Sequence, residues 1–196
     1  IRDSYSTTIV TLIVTSNNPT LFVDNASISI SGAVTKSLSG NLTYTFNVPT
    51  GKQFTVAGLE VIVNTDATYR KYDIPEKETH TAIGITQNVS YVYYGTKVTL
   101  NITAEEGTIT PVVSLTPAMW THPLSLGTHD FILPKNYEYR FQGSEVTNYD
   151  TPQIQTGNTG TEYSDITVNL AYKILAEETY AMWVQFDETT STTTLE

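Results

Sequence analysis

The chain reads as all-β, an antiparallel β-sandwich with an extended N-terminal strand, and three observations predict it. Apolar and polar residues alternate with period two along most of the length, which puts successive side chains on opposite faces of strands. Gly, Pro and Asn clusters break that alternation at short spacing. Threonine, a strand former, is the commonest residue at 35 of 196, and 13 tyrosines accompany it.

Residues 6–16, STTIVTLIVTS, form the first strand and depart from the alternation. Val10, Leu12 and Val14 make one apolar face, while Ile9 and Ile13, separated by Thr11, make the other face apolar as well. Such a strand calls for cover on both sides. Half-buried strands follow: Ala26, Ile28 and Ile30 alternate with serines, and NLTYTFNVP alternates Leu42, Tyr44, Phe46 and Val48 with Asn and Thr. LEVIVN, VSYVYYG, TKVTLNIT, HDFILP, YEYRFQG, ITVNLAYKIL and YAMWVQF continue the series. Joints such as Asn17-Asn18-Pro19, Pro49-Thr50-Gly51 and Gly157-Asn158-Thr159-Gly160 separate them. Roughly ten to twelve strands at this spacing describe an immunoglobulin-like or jelly-roll-like sandwich. Only 75–79 and 176–178 leave room for a helical turn, and neither carries a helical apolar stripe. The division expected is 1–18, an N-terminal strand and hinge, and 19–196, a single body. Within that body 104–127 reads as a long crossing connection holding Pro111, Pro117 and Pro123, and no repeat in register relates the halves.

Composition narrows the function. No cysteine is present, which removes disulfides, thiolate metal sites and cysteine nucleophiles. Net charge is −10 with only 10 Lys+Arg, and the largest basic cluster is Arg70-Lys71, so nucleic acid is not an expected partner. No apolar run approaches the roughly 18 residues of a membrane helix. A surface made polar by hydroxyls and amides fits an extracellular, cell-surface protein. The start at Ile1 fits signal-peptide removal, and the TTSTTT run at 189–194 fits a solvated terminus.

No enzyme, no cofactor and no metal are expected. There is no G-x-S-x-G elbow, phosphate loop or calcium loop. His80, His122 and His129 match no ligand spacing. Glu105-Glu106, Glu177-Glu178 and Asp187-Glu188 are sequence neighbours, which on a strand point to opposite faces. Sequons stand at Asn25, Asn41, Asn88 and Asn101, about the number that twelve Asn give by chance in a chain one-quarter Ser and Thr; they mark N-glycosylation if the chain is exported. Tyr91, Tyr93 and Tyr94, and Tyr137, Tyr139 and Phe141, read as core rows in preference to a sugar platform.

The first strand has two readings. It is a central strand of its own sandwich, or it leaves its subunit and completes the sheet of the next, its backbone and alternate side chains filling a groove. Burying Ile9, Val10, Leu12, Ile13 and Val14 would contribute on the order of 7–15 kcal/mol before ordering costs. Its terminal position and the hinge at Asn17-Asn18-Pro19 point to the second, and open head-to-tail insertion yields a filament. With IVTLIVT and the sequons Asn25, Asn41, Asn88 and Asn101, the layout resembles donor-strand-complemented extracellular filament subunits, most of all the archaeal thread (pilus-like) filaments. The resemblance implies a glycosylated structural subunit of a cell-surface pilus or thread, homopolymeric, serving adhesion or cell–cell contact. The alternative is a secreted or lipid-anchored bacterial β-sandwich adhesin or glycan-binding module, with surface glycans as partners; GNLTYTFNVPTGKQFTVAG resembles a turn of transthyretin-like surface domains.

Overall fold

The computed structural model describes residues 6–22, 26–38 and 42–176, and in them the period-two pattern closes into two stacked-sheet units. The first uses β1 (Thr7–Ser16), β2 (Ile28–Gly32), β3 (Lys36–Leu38), β4 (Thr43–Pro49), β5 (Gln53–Gly58), β6 (Ile62–Asn64), β7 (Tyr69–Lys71), β8 (Glu78–Thr81) and β9 (Thr86–Tyr93). The second uses β10 (Thr96–Ala104), β11 (Val112–Thr116), β12 (Trp120–Pro123), β13 (Gly127–Leu133), β14 (Glu138–Gly143), β15 (Tyr149–Asp150), β16 (Gln155–Asn158) and β17 (Ile166–Ile174). The all-β sandwich class is as expected. The helical content of the described residues is a single 3-10 turn, Pro19–Leu21.

Each half packs its own core. Val10, Leu12, Val14, Ile30, Phe54 and Tyr93 belong to one cluster; Val98, Leu100, Trp120, Phe131, Phe141 and Tyr172 belong to the other. Sheet order repeats as well. In the first half β4-β1-β9 faces β3-β2-β5-β8, and in the second the β13-β10-β17 part of a longer sheet faces β12-β11-β14-β16. In both, the opening strand lies between an antiparallel neighbour and a parallel one, β9 or β17. In place of the single body expected over 19–196, the described residues form two core clusters, and Val10, Leu12 and Val14 of 7–16 pack in the first of them. The expected crossing connection at 104–127 contains the β11–β12 hairpin.

The repeat is visible in sequence once the strands are superposed. TIVTLIV at 8–14 matches TKVTLNI at 96–102, and TFNVPTGKQFTVAG at 45–58 matches DFILPKNYEYRFQG at 130–143 without a gap. Inward positions are kept apolar, Phe46 with Phe131 and Val48 with Leu133. The turn in each takes a residue at positive φ, Gly51 at 83° and Asn136 at 53°, as a left-handed turn position requires. After it, Gly58 and Gly143 leave room for a tyrosine from the last strand. A Cβ on Gly58 would meet Tyr93 Oη at 2.5 Å, and one on Gly143 would collide with Tyr172.

Those tyrosines latch the two sheets of each sandwich together. Tyr93 Oη donates to the Leu59 carbonyl at 3.0 Å, and Tyr172 Oη donates to the Ser144 carbonyl at 3.1 Å. Burial pushes the Tyr93 phenol up to about 12. The neutral phenol therefore adds stability that is full below its ordinary value near 10 and is lost as pH climbs from 10 to 12. Urea midpoints measured across that interval should fall, and should fall less steeply for Tyr93→Phe than for the parent.

Candidate functional site

The first strand sits in a slot inside its own chain. On one side Thr7–Ile13 runs antiparallel to β4, with Leu12 opposite Tyr44. On the other side Ile9–Ser16 runs parallel to β9, with Leu12 opposite Val89. Val10, Leu12 and Val14 are buried in the first core, whereas Ile9 and Ile13 are 42% and 41% exposed on the outer face. Cover on both faces, expected from the sequence, is thus present on one face within this chain. At the equivalent outward positions β10 carries Lys97 and Asn101, and Lys97 pairs with Asp165 at 3.1 Å. At the start of the strand Thr8 is fully buried, and its Oγ1 donates to the Gly84 carbonyl at 2.8 Å.

The hinge after β1 is fastened. Asn17 Nδ2 and Asn18 Nδ2 both donate to the Gly95 carbonyl, at 2.9 and 3.0 Å, and Gly95 N donates back to Asn17 Oδ1 at 2.9 Å. Gly95 is half of the two-residue link, Tyr94-Gly95, between the sandwiches. No side chain fits there, because a Cβ would collide with Ile132. The hinge and the junction are one structure.

The β6–β7 hairpin completes that junction. It leaves the first sandwich and lies along the edge of β13, so that the second sandwich's sheet runs β15-β17-β10-β13-β7-β6. Tyr69 enters the second core, and Ile132 enters the first. Trp120 Nε1 donates to the Thr65 carbonyl at 2.7 Å, and Thr68 Oγ1 donates to the Asp130 carbonyl at 2.7 Å. Asp73 Oδ2 accepts from Lys135 N at 2.9 Å and from Tyr163 Oη at 3.0 Å. Burial, with the adjoining Asp73 carboxylate, holds the Tyr163 phenol up at about 12.

The remaining sequence candidates scatter. Asn88 is exposed on β9, and Asn101 is half-buried on β10, its amide donating to Asn169 Oδ1 at 3.2 Å. Asn25 and Asn41 lie outside the described residues. His80 pairs with Glu78 at 2.9 Å, His122 with Asp66 at 3.3 Å, and His129 bonds the Ser125 carbonyl. Among the described residues no three His, Asp or Glu side chains gather as a metal site would need. Tyr91, Tyr93, Tyr139 and Phe141 are core residues, but Tyr94 is 43% exposed. Sequence reasoning missed the junction. Its signal was the short Tyr94-Gly95 link standing directly before TKVTLNI, the counterpart of TIVTLIV.

Comparison with known proteins gives a distant likeness in fold. No protein-family model matches the chain, and no curated protein matches it. Among solved structures, the Bacillus anthracis TIE protein aligns with 87% of this chain at 10% identity and a TM-score of 0.39; the chain spans about a third (34%) of that protein. The shaft pilin SpaA of Lactobacillus rhamnosus GG aligns with 86% of this chain and 98% of its own at 9% identity, TM-score 0.38. A minor pilin of Streptococcus agalactiae aligns with 85% of this chain and 96% of its own at 9% identity, TM-score 0.33.

Proposed function

We propose that the chain is a structural subunit of an extracellular cell-surface filament, a homopolymer in which the N-terminal strand of one copy fills the β4–β9 slot of the next. One observation carries this reading. β1 is the middle strand of the first sheet, and without it β4 and β9 are edges with no partner between them. In the single chain β1 fills that slot itself. Exchange between copies would keep every ladder contact and change only the hinge, so self-filled and polymerised forms differ little in contact energy. The asparagine clasp on Gly95 favours the self-filled form and would have to open first. The tight junction between the sandwiches suits a subunit that bears load along a fibre, serving adhesion or cell–cell contact.

The test compares the full chain with one beginning at residue 17. Concentrated full chain, taken through mild denaturant and back, should give ladders of oligomers by light scattering and threads by negative-stain microscopy. The shortened chain should remain monomeric and take up one equivalent of a peptide covering residues 6–16. A full chain that stays monomeric through this cycle, or a shortened chain that polymerises equally well, would sink the proposal.

A further inference from the structure

Beside the junction lies a groove of about 570 Å³ with walls from both sandwiches. Ser90 and Val92, on the outer face of β9, and Tyr94, just past its end, line the groove with Glu76, and Lys135 and Tyr163 line it from the second sandwich. That volume falls within the range of small-ligand sites. We propose that this groove is a carbohydrate-binding site with Tyr94 as its stacking platform. The inference stands apart from the filament reading, since it needs only the single folded chain.

Three features carry it. Tyr94 is the exposed member of a tyrosine cluster whose other two members, Tyr91 and Tyr93, are fully buried. Its ring is held in place. Tyr163 stacks on it with centroids 5.2 Å apart and planes 28° from parallel, and Tyr163 is in turn fixed through its hydroxyl by Asp73. A half-open aromatic face with its orientation set beforehand suits the C–H face of a pyranose, because little ordering cost remains to be met on binding. The surroundings offer carboxylate, ammonium and hydroxyl groups at Glu76, Lys135 and Ser90, which match the alternating donors and acceptors of vicinal sugar hydroxyls. An extended peptide pairing with the β9 edge is the less suitable guest. Asp73 N already donates to the Tyr94 carbonyl at 2.8 Å, which occupies that edge at the Tyr94 position.

The experiment titrates the full chain with cellobiose, lactose, mannobiose and chitobiose, following amide and tyrosine ring signals by NMR. At least one sugar should shift Ser90, Val92 and Tyr94 saturably. Tyr94→Ala should weaken that binding about tenfold, as loss of an aromatic stacking partner does, while Tyr94→Phe should keep most of it. Ser90→Arg, which fills the groove from an exposed position away from the junction contacts, should abolish binding and leave the thermal midpoint unchanged. If none of the sugars shifts the groove residues, or if binding survives Ser90→Arg, the assignment is wrong. Saturable shifts of the same residues by an extended peptide in place of every sugar would overturn it too.

Discussion

Leu12→Ala should lower the stability of the first sandwich by about 3 kcal/mol, whereas Ile13→Ala, one residue along, should cost less than about 1 kcal/mol. Leu12 is fully buried at the centre of β1, with Tyr44 on one side and Val89 on the other, so truncation leaves a cavity that two ladders prevent from collapsing. Ile13 faces outward at 41% exposure and loses mainly strand propensity. Urea denaturation followed by tyrosine circular dichroism measures both, with unchanged slope if only stability has moved. The pair also reads the assembly state. In a filament that buries the outer face of β1, Ile13→Ala should become as costly as Leu12→Ala. Equal costs in the isolated monomer would contradict the placement of the strand.

The strands were legible because alternation follows directly from strand geometry, and Val10, Leu12 and Val14 show it as plainly as Phe46 and Val48. What concealed the two-sandwich plan was the outer face. Ile9 and Ile13 on β1 correspond to Lys97 and Asn101 on β10, so the strands look unlike each other in overall hydropathy although their inward residues match. Reading every second residue exposes the repeat, and reading all of them hides it. The junction was less accessible still. It depends on a hairpin, β6–β7, with no counterpart of equal reach among the described residues of the second half, where residues 149–150 turn back on β17 of the same sandwich. Nothing local in Tyr69 or Arg70 says which sheet they will join. Tyr94 reads in a row with Tyr91 and Tyr93, yet it stands at the opposite phase of the alternation, and its ring is exposed where theirs are buried.

Trp120→Ala should cost about 3–5 kcal/mol and should also split one unfolding transition into two. The indole is almost fully buried, packs edge-on against Phe131 with centroids 5.1 Å apart, and belongs to the second core. Its Nε1 meanwhile reaches the Thr65 carbonyl in the turn of the β6–β7 hairpin, which belongs to the first sandwich. Losing the ring therefore makes a cavity in one unit and releases the hairpin of the other. Trp120→Phe separates the two effects. It retains most of the core volume but strands the Thr65 carbonyl, at about 1 kcal/mol for an unmade hydrogen bond. Differential scanning calorimetry should show a single peak for the parent, since Tyr69 and Ile132 each sit in the other unit's core, a slightly lowered single peak for Trp120→Phe, and two peaks for Trp120→Ala. Two peaks in the parent would mean that the sandwiches unfold independently, and the junction could not then transmit load from one to the other.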